Sequence, residues 1–172
     1  MAKYTDKNSY TIIFSVIMVV VVGSLLAGVA QGLKSKITLN ERFEKMQNIL
    51  YAMGINDNEG DGDINFISTD RVEEVFAKNI KKQLVIQGDE VTENPEAYLI
   101  DIKKEETMAK DPNYQRRLPL FVGEKDGETL YIIPMRGKGL WDAIWGFVAV
   151  DKSLVVRGVF FAHAGETPVL GA

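Results

Sequence analysis

The chain has 172 residues, a net charge of −4, one histidine and no cysteine. That length suits one domain with an appendage, and the acidic balance gives no basic footprint for nucleic acid. The missing cysteines exclude disulfides, thiolate-bound zinc, iron–sulfur ligation and c-type haem attachment. His163 alone builds no multi-histidine metal site, so redox chemistry in this chain needs an organic cofactor.

From Ile12 to Ala30 the residues are apolar apart from Ser15, Gly23, Ser24 and Gly28. With Tyr10 and Leu33 the run reaches the roughly 20 residues that cross a hydrocarbon core. Residues 10–33 therefore read as a transmembrane helix, preceded by residues 1–9. Lys3, Lys7 and Gly28-Val29-Ala30 have the look of a cleavable signal, but the apolar run exceeds the usual core of about 7–15 residues. An uncleaved anchor is the better reading. Gly23, Ala27 and Ala30, with Gly28, offer a small-residue face to another membrane helix. Lys3 and Lys7 on one side and Lys34, Lys36, Arg42 and Lys45 on the other leave the orientation open by charge.

Residues 34–82 read as juxtamembrane helices. Thr38-x-x-Glu41 is a capping box ahead of a helical stripe of Leu39, Phe43, Met46, Leu50 and Met53, and Gly54 is the natural stop. The acidic run Asp57 to Asp63 has the start of a calcium loop. However, Ser68 stands where a bidentate Glu is required, so a polar surface loop is expected. Asp70, with Glu73, caps a second helix whose apolar face is Val72, Val75, Phe76 and Ile80. Lys78, Lys81 and Lys82 near its end suit the helix dipole.

Residues 83–172 read as the first part of a small domain. Leu84-Val85-Ile86 runs as a strand into the turn Gln87-Gly88-Asp89, and Tyr98 to Ile102 reads as a second strand. Lys103 to Arg117 has no period and reads as a long surface connection, with Arg116 and Arg117 either contacting a phosphate or, the favoured reading, solvated. Leu118 to Val122 and Thr129 to Ile133 flank Glu124-Lys125-Asp126-Gly127-Glu128 as a hairpin. Gly137-Lys138-Gly139 is a flexible loop that lets a ligand approach the backbone closely. Ile144 to Val150 and Leu154 to Ala162 form another hairpin around Asp151-Lys152-Ser153. Helices first and strands clustered later give an α+β fold with a mostly antiparallel sheet, apparently truncated at its C-terminus.

The candidate chemistry lies at the end of the chain. Trp145 suits the core, whereas Leu140 and Trp141, after the glycine loop, suit the rim of a flat-ligand site. His163, just past a strand end, is expected to be structural. Glu166-Thr167-Pro168 puts a carboxylate and a hydroxyl on a stiffened loop. Such groups orient the edge of a planar cofactor while an apolar residue such as Leu170 covers its face. No catalytic acid, base or nucleophile stands out, and no metal site.

Three stretches together carry a family resemblance. They are Ser9-Tyr10-Thr11 running into Met18–Gly23, then Gly137-Lys138-Gly139-Leu140-Trp141-Asp142, and Gly165-Glu166-Thr167-Pro168 with Leu170-Gly171. With them the chain resembles the C subunit of the bacterial Na+-translocating NADH:quinone reductase, an FMN-binding domain family. More distantly it resembles the G subunit of the Rnf complex. The resemblance implies a single-pass inner-membrane electron-transfer subunit whose residues 1–9 are cytoplasmic and whose flavin domain is periplasmic. It implies FMN bound covalently through its phosphate to a threonine, in a complex that passes electrons from NADH to ubiquinone and exports Na+. It also implies partner subunits and membrane lipid, with electrons arriving from an iron–sulfur centre and leaving to another flavin. Glu166, Thr167 and Leu170 carry over as flavin-proximal, and Leu140 and Trp141 with them. The family's attachment motif, Ser-Gly-Ala-Thr, is not found in residues 1–172, so the covalent threonine is expected beyond Ala172. Val169 replaces a family glycine, and Ala164 is an extra residue before Gly165. The alternatives are an Rnf-type flavin subunit and a membrane-anchored extracytoplasmic binding or assembly module with no redox role.

Overall fold

The computed structural model describes residues 8–60, 64–140 and 142–165. The chain divides into two compact units, Met1–Glu41 and Arg42–Ala172.

Helix α1 runs unbroken over Asn8–Ala52. Among the described residues it is the one helix long and apolar enough to cross a membrane, by length and composition. The expected new helix start at the capping box is not there. Thr38 Oγ1 instead donates back to the Lys34 carbonyl at 3.1 Å, the bond a mid-helix threonine makes. No proline or glycine lies between Leu33 and Ala52, so nothing stops the helix before its expected end at Gly54, whose φ is +72°.

In the unit that begins at Arg42, the last turns of α1 bury Met46, Ile49, Leu50 and Ala52, followed by Met53. The chain after α1 is pinned back on it. Gln47 Nε2 donates to the Ile67 carbonyl at 2.6 Å, and Tyr51 and Phe66 pack with Phe160. Asp57 pairs with Arg71 at 3.7 Å, and residues 61–63 of the acidic run lie outside the described residues. Helix α2 spans Val72–Asn79 and has Arg71, not Asp70, at its N-cap, without a side-chain cap. Asp70 is engaged elsewhere: a hydrogen bond with the Ser68 side chain holds its carboxyl below the ordinary value. The backbone turns extended at Ile80, so Ile80, Lys81 and Lys82 belong to a strand rather than to the end of the expected helix.

The strands are β1 Ile80–Gln87, β2 Glu90–Glu93, β3 Arg117–Lys125, β4 Glu128–Lys138, β5 Ala143–Val150 and β6 Val156–His163. They form one antiparallel sheet in the order β2-β1-β3-β4-β5-β6. With the helices, this is the α+β fold expected. Turn chemistry sets two of its hairpins. Gly88 (φ +60°) opens the two-residue β1–β2 turn, and Asp126 and Gly127 (φ +52° and +80°) make the β3–β4 turn. Such positive angles match the twist of the flanking strands.

The sheet has two unlike faces. Val85, Phe121, Leu130, Ile132 and Ala149 are buried in one cluster with the end of α1 and with Val72 and Phe76 of α2. Side chains alternate along each strand, so Leu118, Ile133, Met135, Ile144, Val159 and Phe161 fall on the other face and remain exposed.

The expected strand at Tyr98–Ile102 is a correction. Ala97–Leu99 forms a 3-10 turn, and helix α3 covers Ile102–Met108. The Asp101 side chain accepts from the backbone N–H groups of Lys103 and Lys104 at 3.0 and 3.2 Å. That cap satisfies orphan donors of a helix start, which an extended strand would not supply.

Candidate functional site

The glycine motif at Gly137 lies where β4 hands over to β5. Gly137 and Lys138 are not a free loop. They continue the ladder, paired with Ile144 and Ala143. The loop is thereby shortened to a turn from Gly139 to Asp142. The Gly139 N–H donates to the Asp142 carbonyl at 2.8 Å, and the Asp142 carboxylate accepts from the Ala143 N–H at 2.6 Å. Leu140 stands at the tip of this turn, 89% exposed. Trp141 lies outside the described residues.

β6 brings the chain as far as Gly165 to the same place. His163 pairs with Ile144 across the ladder, and the Ala164 N–H donates to the Ala143 carbonyl at 3.0 Å. The chain therefore reaches Gly165 held against the turn. A Cβ at Gly165 would stand 3.0 Å from Asp142 Cβ, so a larger residue there would push the two segments apart. Glu166, Thr167 and Leu170 lie outside the described residues. Trp145, half-buried, is in register between Arg136 on β4 and Ala162 on β6.

Sequence reasoning missed a charged layer beside this end of the sheet. Lys103–Arg117, expected as solvated loop, contains α3 and a buried carboxylate. Glu105 is 1% exposed. Its Oε2 accepts from the Tyr114 hydroxyl at 2.7 Å and the Arg117 N–H at 2.9 Å, and its Oε1 from Arg117 Nε and Nη2 at 3.0 and 2.6 Å. Burial pushes the Glu105 carboxyl up, but these bonds from Arg117 and Tyr114 outweigh it and hold it below its ordinary value. The same contacts raise Tyr114 and Arg117. Beside it, Glu106 faces both Arg136 Nε at 3.4 Å and Arg116 Nη2 at 3.6 Å. The available signal was the spacing of Glu105-Glu106 from Arg116-Arg117, but charge doublets on a loop have the same appearance when solvated.

No family model matches the chain. Among curated proteins, the chain is 29% identical to the C subunit of the Na+-translocating NADH-quinone reductase of Neisseria meningitidis serogroup B, over 99% of this chain and 69% of that protein. The C subunit of the Vibrio anguillarum enzyme is 26% identical over the same shares, 99% and 69%. The crystal structure of the C subunit from Parabacteroides distasonis superposes with a TM-score of 0.62 and 30% identity. The homologues of this chain are C subunits of Na+-translocating NADH-quinone reductases. At 99% of the chain, the similarity to the Neisseria protein takes in the turn at Gly139 and the strand leading to Gly165. The chain spans 60% of the length of the solved C subunit, and the superposition covers 79% of this chain.

Proposed function

We propose that this chain is the C subunit of a membrane NADH:ubiquinone oxidoreductase that couples electron flow to Na+ export. In this reading residues 10–33 anchor it in a bacterial inner membrane, and the α+β unit lies on the periplasmic side. It assembles with other subunits of the complex, taking electrons from an iron–sulfur centre and passing them to another flavin. The observation that carries the proposal is the similarity to the Neisseria C subunit over 99% of the chain.

The geometry at the end of the sheet fits one side of an FMN site. The Gly139–Asp142 turn and Gly165 approach closely because Gly165 has no Cβ to meet Asp142. Leu140, nearly fully exposed, is available to cover an apolar ring face, and Trp141 follows it. Glu166 and Thr167 are the proposed partners of the ring edge and Leu170 of its face, carried over from the family resemblance. FMN, when bound, supplies one- and two-electron transfer. The protein's own contribution is to hold the ring, keep water from its face and set the local charge. Thr167 belongs to the ring-edge loop. The covalent link is assigned to a threonine outside Met1–Ala172.

The test is to isolate the protein from its native membranes, denature it in acid and run it on a gel under ultraviolet light. A yellow-fluorescent band at the protein's own mass is expected. A native complex that oxidises NADH while this band stays dark would refute the covalent flavin. Glu166→Ala is expected to shift the flavin absorption or potential without loss of folded protein.

A further inference from the structure

The face of the sheet turned away from the buried cluster is apolar across five strands. Directly paired residues share a face, so the ladder lays out rows on it. Ile133 on β4 stands beside Val148 on β5, and Val148 beside Val159 on β6. The next row is Met135, Gly146 and Phe161. A Cβ at Gly146 would meet the Phe161 ring at 2.6 Å, so the ring leans over the glycine. Further along the sheet, Leu120 of β3 pairs with Leu84 of β1. None of these rows carries a charge. Ile133, Met135, Val159 and Phe161 are between 41% and 53% exposed. Helix α3 is on the opposite side, where Glu105 and Glu106 meet Arg117 and Arg136. A contiguous apolar surface of this width marks a place that something covers. In α+β folds helices are what cover a sheet face.

The lengths of the relatives point to the cover. The similarity to the Neisseria C subunit takes in 99% of this chain but 69% of that protein, so nearly a third of a C subunit has no counterpart in residues 1–172. We propose that the outer face seats an amphipathic helix of the same polypeptide, drawn from that unmatched part. Its apolar stripe lies across the Ile133–Val148–Val159 and Met135–Gly146–Phe161 rows. β6 is the edge strand and ends at His163, beside Ile144 at the rim of the face. A segment tethered there meets the face at a high effective concentration, an advantage that a second copy or a separate subunit lacks. The origin of the helix rests on the C-subunit reading. The need for a cover does not.

The test uses the native full-length protein in its own membranes. Met135 on the face and Met108 at the end of α3 are comparably open here, 49% and 47% exposed. Peroxide oxidation to the sulfoxide therefore compares two thioethers within one molecule. Each rate, read by peptide mass spectrometry, is taken relative to the same protein in urea. A helix on the face slows Met135 by about tenfold or more, with Met108 near its denatured rate. Met135 oxidised near its denatured rate overturns the proposal. The occupant is read with a photo-crosslinking benzoylphenylalanine in place of Ile133 or Val159. An adduct within the subunit's own mass, to a peptide outside Met1–Ala172, supports the helix. An adduct confined to residues 1–172, or made with a second copy, another subunit or lipid, overturns it. So does a native subunit whose mass ends at Ala172. Should one photo-variant fail to fold, the other position and the wild-type Met135 rate decide. The flavin band keeps the two readings apart. A fluorescent band with an open face refutes the cover alone, whereas a dark band with the internal adduct refutes the covalent flavin and leaves the cover standing.

Discussion

Glu105→Gln isolates the charge of a buried carboxylate while keeping its shape. In the wild type four donors converge on Glu105: the Tyr114 hydroxyl, the Arg117 N–H and two guanidinium nitrogens. The amide of Gln retains one acceptor oxygen and turns an NH2 group against donors that cannot receive it. Hydrogen bonds to a charged group contribute about 1.5–3 kcal/mol each, against about 1 kcal/mol for neutral ones. Breaking a fully buried pair costs about 3–5 kcal/mol. Arg117 is 48% exposed at its side chain and regains water, so the cost falls below that range, to about 2–3 kcal/mol. For a unit of this size that lowers the melting temperature by about 10 °C. The assay is thermal melting of the full chain in mild detergent, followed by tryptophan fluorescence, to which Trp145 on β5 contributes. The pH dependence has a definite sign. Because the folded carboxyl is held below its ordinary value, its contribution is fully present above about pH 4.3. It is lost as pH falls through the folded value. The gap between wild type and variant is therefore wide at pH 7 and closes in acid. Equal melting at pH 7, or a gap that does not change with pH, refutes the reasoning.

Other substitutions probe the packing. Phe121→Ala, at a site 1% exposed, is expected to cost about 3–5 kcal/mol in urea unfolding. A loss below about 1 kcal/mol would show that the site collapses around the gap. Gly158→Ala places a Cβ against the Ala52 carbonyl at the end of α1. Since backbone cannot swing away, about 1–3 kcal/mol is expected, whereas Gly137→Ala meets nothing within 4 Å and should stay within about 0.5 kcal/mol. A reversed order in denaturation would contradict the register. Asp151 accepts from the N–H groups of Ser153 and Val155 at 2.7 and 3.0 Å and from Arg157 Nε at 2.8 Å. The Val155 N–H, above all, holds its carboxyl low. Asp151→Asn should therefore lower the melting temperature at pH 7 and converge with wild type as acid protonates the native carboxylate.

Local signals carried much of the fold. The apolar run at Ile12–Ala30 and the stripe of Met46, Leu50 and Met53 place α1. Asp126-Gly127 places the β3–β4 hairpin, because an isolated pair of residues that tolerates positive φ decides that turn without distant help. The same local reasoning failed where two readings compete over short distances. Tyr98-Leu99-Ile100-Asp101-Ile102 is a short aromatic and aliphatic run like a strand's, yet Asp101 caps a helix and Tyr98 turns inward to accept from Arg42 Nη2 at 2.8 Å. Thr38-x-x-Glu41 has the pattern of a helix start but sits within a helix already formed.

By itself, the sequence singled out two segments as candidates for the chemistry, one with Leu140 and Trp141 and one with Glu166 and Thr167. Only the tertiary structure decided that Gly165 and the turn at Gly139 are neighbours, because β5 and β6 return the chain through their ladder and seat Gly165 against Asp142. It also decided the charge beside them. Glu105, Glu106, Arg116, Arg117 and Arg136 come from a helix, a loop and two strands. A charge alters its neighbours only through distance and burial, and neither is written in the order of residues along the chain.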